Sequence, residues 1–378
     1  MDVKIVSYQP NVACSDYRAD IDGLRAVAVL SVVAFHAFPN WFKGKFIGVD
    51  IFFVISGYLI STIIFKNLDK RTFSFKEFYI RRIKRIFPAL ILILISCFVF
   101  GWFALLPDEY KQLGKHILGS TGFVQNMVLW DESGYFDNSA ETKPLLHIWS
   151  LGVEEQFYFL WPLFIWFAWK RKINLFLATV FIALISFILN IKGINENFVA
   201  TFYSPHTRFW ELLSGGLLAW INLYGESVFQ KWKVKGSSFP TIIHKNFTLD
   251  EKVVLDNVLS FLGIILLCCG FGIINKELNF PGNWAIIPVL GTVLIICSGS
   301  DSWVNRVVLS NRIAVWFGLI SFPLYLWHWP ILSFIRIIES QTPSWDIRLA
   351  AICNVSRNIR QFPPDYPTIN GALEINPQ

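Results

Sequence analysis

The chain has 378 residues, of which 54% are hydrophobic and 16% charged, with 36 Phe and 16 Trp and a formal net charge of +6. That composition excludes an ordinary soluble domain. Lipid admits only helices or closed barrels, and the apolar runs are too long and continuous for barrel strands, so the expectation is an all-α polytopic transmembrane helix bundle.

Residues 1–17 lack the apolar centre of a signal peptide and read as a cytoplasmic N-terminal segment. The first membrane helix then acts as an uncleaved insertion signal. About nine complete spans follow, near 22–38, 47–65, 86–106, 148–169, 173–191, 207–224, 254–274, 284–299 and 313–338. An incomplete tenth begins at "WDIRLAAICNV" and fades after Val355. The stretch 66–85 holds eight Lys/Arg and is assigned to the cytoplasm by the positive-inside rule. Alternation then places Lys170 to Lys172 and the basic 225–253 loop inside, and the acidic 107–146 loop outside. The segment "GKHILGSTGFVQNMVLW" in that outer loop is expected to form a helix lying on the interface.

Four of the six cysteines, Cys97, Cys268, Cys269 and Cys297, fall in apolar runs and read as small core residues. The cysteines have no metal spacing, and no metal site is expected.

Ionisable groups inside the membrane are costly and therefore stand out. Arg25 and His36 are eleven residues apart, about three full turns, so they share one helix face about 16 Å apart. The structural alternative is an interfacial arginine that snorkels and a headgroup-level histidine. In the fourth span, "HIWSLGVEEQFYFLWP", His147, Glu154 and Tyr158 fall near one stripe, with Glu155 and Gln156 beside them. A buried ion pair that fixes packing is the alternative there. In the ninth span Tyr325 and His328 share a face, and Pro323 and Pro330 suggest a local bend. Arg208 and Glu211 can pair as i, i+3 near the outer surface. Ser56-Gly57-Tyr58 permits close helix approach.

His36, Glu154 or Glu155, and His328 reach the outer half from three spans and form a candidate acid/base cluster. Arg25, Arg81, Arg82 and Arg85 gather at the inner face. Arginine forks suit phosphate, although the positive-inside rule alone would also supply arginines here. The arrangement suits transfer from an anionic donor inside to an acceptor outside. A transporter of an anionic solute is the rival reading, and it would usually carry an internal repeat, which the sequence lacks.

The segments "YRADIDGLRAVAVLSVVAFH", "GVDIFFVISGYLIS", "FYIRRIKRIFPAL", "WSLGVEEQFYFLWP", "SPHTRFWELLSGGLLAW" and "FPLYLWHWP" resemble, in order, the motifs of the acyltransferase-3 family of membrane O-acyltransferases. The resemblance runs from about Tyr17 to Ile338. It implies transfer of an acyl group, usually acetyl, from acyl-CoA to a hydroxyl of a surface polysaccharide or lipopolysaccharide O-antigen sugar. It implies no permanently bound cofactor: acetyl-CoA is a co-substrate and a glycan or lipid-linked glycan the acceptor. No nucleic acid partner is expected, and the location implied is the bacterial inner membrane. The family's Arg–ten residues–His motif falls on Arg25 and His36, and its Arg-x-x-Arg on Arg82 and Arg85. By that resemblance Arg25, Arg82 and Arg85 hold the donor and His36 is catalytic. Glu154 or Glu155 is expected to face and orient His36, and Tyr325 or His328 to donate to the developing oxyanion.

The family pattern covers 18–354, and 355–378 reads as an atypical polar tail. Family members complete at least one more helix, and many continue into an extracytoplasmic hydrolase-like domain. The expectation is therefore a truncated or divergent member, with an inactive relative as a further alternative. Residues from about Ser356 are expected outside the bundle.

Overall fold

The computed structural model describes residues 17–39, 41, 44–133, 139–234, 249–275 and 277–359. Among the described residues there are helices and turns but no strands. In chain order the helices are α1 (Ala19–Ala37), α2 (Gly48–Asp69), α3 (Phe75–Ala104), α4 (Pro107–Thr121), α5 (Gln125–Glu132), α6 (Trp149–Lys170) and α7 (Leu175–Glu196). They continue as α8 (Phe198–Tyr203), α9 (Pro205–Val234), α10 (Leu249–Ile273), α11 (Ile286–Cys297), α12 (Arg312–Leu319), α13 (Ser321–Glu339) and α14 (Trp345–Ile359).

Local sequence sets several of these boundaries. Asn174 caps α7 by accepting from the Leu177 N–H at 3.1 Å, and Asn311 caps α12 by accepting from Ile313 and Ala314, both at 2.9 Å. Each cap satisfies N–H groups that the first helical turn leaves without an intrahelical partner.

Four helices are long and apolar enough to cross a membrane, namely α2, α3, α7 and α10, and the α12–α13 pair would make a fifth. The other predicted spans form helices too, but α1, α6 and α9 carry charges and α11 is short. Most of the apolar stretch of α2 is buried (78%), against 22% for α7 and α10, so α2 is the central pillar and the others face outward. Gly57 of α2 meets α9 so closely that a Cβ there would lie 1.8 Å from the Leu212 carbonyl oxygen. Only hydrogen at these positions lets the two backbones touch.

The ninth predicted span is not one helix. It breaks at Ile320, where α12 and α13 meet at 66°. Pro323 has no N–H to offer the Leu319 carbonyl, and restarting the helix at Ser321 puts this proline in the first turn, where none is needed. Pro330, by contrast, stays inside α13.

The tenth predicted element forms as α14, which packs on α13 and α1 and runs through Ile359. The rest of the expected polar tail lies outside the described residues. The 107–146 loop contains α4 and α5. The cysteine expectation needs correcting: Cys97 is buried, but Cys268, Cys269, Cys297 and Cys353 are exposed on the bundle flank. Hydropathy rates a lipid-facing position and a core position alike, so the apolar runs could not separate them.

A basic cavity and a histidine pair

A cavity of about 580 Å³ opens among α1, α2, α3, α6, α9 and α13. Arg18, Arg25, Lys66, Arg82 and Arg85 line it, opposed by Asp22, Glu154 and Glu155. Arg25 sits one turn above Asp22 and is held by it at 3.1 Å. Arg82 and Arg85 come from one side of α3, three residues apart, and the Arg82 guanidinium lies 4.3 Å over the Tyr158 ring. Arg81, on the other side of α3, pairs with Glu77 at 3.4 Å in an exposed position and does not line the cavity. Five cations around so small a space favour an anionic occupant. Guanidinium forks suit phosphate oxygens in particular.

The three polar residues of "EEQ" part company. The Glu154 carboxylate accepts from the Ser56 and Tyr158 hydroxyls at the cavity wall. Glu155 Oε1 is buried without a hydrogen-bond partner among the described residues, and the side chain lines the same cavity. Gln156 turns away and ties α6 to the start of α5, donating to Phe123 O at 2.8 Å and Asn126 Oδ1 at 2.9 Å.

His36, on the same face of α1 as Arg25 but near its other end, meets α13. Its Nδ1 lies 2.9 Å from His328 Nε2, and the two rings are within 11° of parallel. The Trp329 ring packs 4.4 Å from His36. His328 Nδ1 faces the carbonyls of Tyr325 at 2.7 Å and Leu324 at 3.2 Å. A third imidazole, His147, stands edge-on to His328 with centroids 5.5 Å apart and donates from Nε2 to Leu326 O at 3.1 Å.

Tyr325 joins the two regions. It lines the cavity, its ring lies 5.6 Å from His328, and its hydroxyl donates to His147 O at 2.8 Å while pairing with Ser150 Oγ at 2.6 Å. Neither His36 nor His328 lines the cavity. The expectation that His36 faces Glu154 or Glu155 is therefore replaced: it faces His328. Glu154 lies seven residues, about 10 Å, further along from His147, which is itself at the level of the histidine pair. Ser56, Lys66, Ser150 and Asn222 line the cavity too, although the sequence pattern marks Ser56 only for helix packing, Lys66 only for topology, and the other two not at all. Lys66 was visible as a charge at the end of an apolar span; the neutral residues gave no comparable signal.

Two further clusters brace the site. Arg208, at 1% exposure, contacts Asp50 Oδ1 and Glu211 Oε1 at 3.0 Å each. The i, i+3 pair read from sequence is thus a triad that fastens α2 to α9. Phe53, Trp149, Phe202 and Phe280 surround its guanidinium at 5.5–5.9 Å. In the α4–α5 segment Glu132 gathers His116 at 2.7 Å, Gln112 at 3.1 Å, and Lys115 and Lys143 at 3.4 Å. Burial would push the Glu132 carboxyl up, but the His116 contact, with Gln112 and Lys143, outweighs it and holds the group down at about 2. Trp329 Nε1 donates to Lys143 O at 2.8 Å, so this cluster also pins the segment covering α13. Among the described residues no group of three His, Cys, Asp or Glu could hold a metal ion.

The apolar helices and the family match below define a multi-pass membrane protein, with a cation-lined cavity among its helices. The chain belongs to the acyltransferase-3 family, whose acyltransferase domain matches residues 18–353. It is 32% identical over 328 residues to the peptidoglycan O-acetyltransferase OatA of Listeria monocytogenes, covering 84% of this chain and 50% of that one. A Staphylococcus aureus (strain MSSA476) protein with a provisional O-acetyltransferase name is 33% identical over 357 residues, 89% of this chain and 55% of the other. YrhL of Bacillus subtilis, provisionally named a peptidoglycan O-acetyltransferase, is 33% identical over 331 residues, 84% and 49% of the respective chains. This chain spans about half the length of these curated relatives. No solved structure matches it.

Proposed function

We propose that this chain transfers an acetyl group from acetyl-CoA to a hydroxyl of a surface polysaccharide. The observation that carries the reading is a cation-lined cavity whose far wall, Tyr325 and Ser150, adjoins an imidazole pair. Family membership supports the acyl group, and the names of the relatives support peptidoglycan as the first acceptor to test, ahead of an O-antigen sugar. Arg25, Arg82 and Arg85 bind the donor's phosphates, and the thin pantetheine arm carries the thioester toward Tyr325. The chain lies in the bacterial inner membrane with about nine crossings, its N-terminus cytoplasmic and the histidine pair in the outer half.

In the reaction a sugar hydroxyl oxygen attacks the thioester carbonyl carbon while His36 takes the hydroxyl proton. The tetrahedral intermediate expels the sulfur, which leaves with a proton as the CoA thiol, and the ester remains on the sugar. Glu154 and Glu155 face the arginines and set the charge of the donor cavity.

The test uses the full chain in lipid nanodiscs with isotope-labelled acetyl-CoA and, separately, soluble muropeptides and O-antigen oligosaccharide. Mass spectrometry should find the label on a glycan, and His36→Ala should abolish it without disturbing insertion. Unlabelled glycans with correctly folded parent protein, or normal transfer by His36→Ala, would refute the reading.

A further inference from the structure

We infer that His328 is a positioning residue: it fixes His36 as the Nδ1–H tautomer, leaving His36 Nε2 as the basic atom. The inference rests on the acyl-transfer reading only for what that base then does.

Proton bookkeeping carries it. Two carbonyls, of Tyr325 at 2.7 Å and Leu324 at 3.2 Å, face His328 Nδ1. Carbonyl oxygens only accept, so this nitrogen bears the hydrogen. A neutral imidazole has one N–H, so His328 Nε2 is a bare acceptor. The atom 2.9 Å away is His36 Nδ1, which must donate. His36 therefore carries its own hydrogen on Nδ1, and its Nε2 keeps the lone pair. Free histidine prefers the opposite tautomer, with hydrogen on Nε2 and no base there; the partner of one ring nitrogen decides the state of the other.

Packing makes the choice rigid. His328 is 1% exposed, and the Trp329 ring, 4.4 Å from His36, supports the second imidazole from the side. When His36 accepts a proton on Nε2, its Nδ1–H bond to His328 persists and becomes charge-assisted. His328 has by then no hydrogen left for an oxyanion, because its single N–H is committed to backbone. Among the described residues, His147, edge-on to His328, and Tyr325 are titratable groups that face the pair. His147 donates its Nε2–H to Leu326 O and the Tyr325 hydroxyl donates to His147 O, so neither competes for the bond between His36 and His328.

The experiment is nitrogen-15 NMR of the full chain, labelled at histidine, in lipid nanodiscs, with the His36 signals assigned by their loss in His36→Gln. In the parent at neutral pH, His36 should be protonated at Nδ1 and bare at Nε2. In His328→Leu it should revert to the Nε2–H form. His328→Gln, whose side-chain oxygen can accept the same bond, should restore the Nδ1–H form. With acetyl-CoA and a muropeptide as probes, His328→Leu should lower kcat about 10²-fold or more with the acetyl-CoA KM unchanged, and His328→Gln should recover much of it. An Nε2–H His36 in the parent, or an unchanged Nδ1–H His36 in His328→Leu, overturns the inference. If the tautomers behave as stated but no glycan is acetylated, the imidazole pair is upheld and the acetyl-transfer reading alone falls.

Discussion

Arg208→Met should be the most damaging single change outside the site. Asp50, Arg208 and Glu211 are each 1% exposed or less, and the arginine contacts both carboxylates at 3.0 Å. Removing the one cation leaves two acidic side chains facing each other in an apolar interior. Breaking a buried pair from one side costs about 3–5 kcal/mol, because the remaining charge is stranded. In a long chain each kcal/mol moves the melting temperature by roughly 2 °C, so a fall of about 6–10 °C is expected. The effect should be far smaller for Glu211. Two carboxylates oppose one guanidinium, so Glu211→Gln removes surplus negative charge while keeping shape, and should shift stability by less than about 1 kcal/mol. The assay is thermal unfolding of the parent and both variants in one detergent, followed by intrinsic tryptophan fluorescence. An Arg208→Met protein melting within 2 °C of the parent, or Glu211→Gln as damaging as Arg208→Met, would refute the charge count.

Arg82→Ala with Arg85→Ala should raise the acetyl-CoA KM far more than it lowers kcat, by about 1.5–3 kcal/mol of binding for each lost charged contact; donor titrations that superimpose on the parent would leave these arginines a topological role only. Glu132→Gln should destabilise the α4–α5 segment at neutral pH but not in strong acid. The native carboxyl titrates at about 2 against an ordinary 4.5, so its contribution is complete above the higher value and is lost as pH falls toward the lower. Melting temperatures of parent and variant should therefore converge between pH 4.5 and 2, and a constant gap would exclude the linkage. Gly57→Ala places a Cβ 1.8 Å from the Leu212 carbonyl oxygen, a backbone clash that should separate α2 from α9 and cost about 1–3 kcal/mol in the same melting assay.

What the sequence determined is local. Long apolar runs fix where helices form, because a buried or lipid-exposed backbone must satisfy its own hydrogen bonds. The helical period puts Arg25 and His36 on one face and Arg82 beside Arg85, and both placements hold in the folded chain. The ordered motifs also pointed to the family, because residue identity at fixed spacing survives without any knowledge of neighbours.

Which face meets which is settled by the packing of the whole bundle. His36 finds His328, 292 residues away, rather than Glu154, because α13 and not α6 lies against the C-terminal half of α1. Asp50 completes the Arg208 pair from 158 residues away. Pro323 and Pro330 point to a bend in the ninth span, but its size and its place at Ile320, like the outward turn of Cys268, Cys269 and Cys297, follow only from the packing. The physical reason is common to all of them. A helix in lipid is satisfied along its own axis, so its period reports only its own faces. Lipid and protein interior are alike apolar, and the choice between them falls to the packing of helices far apart in the chain.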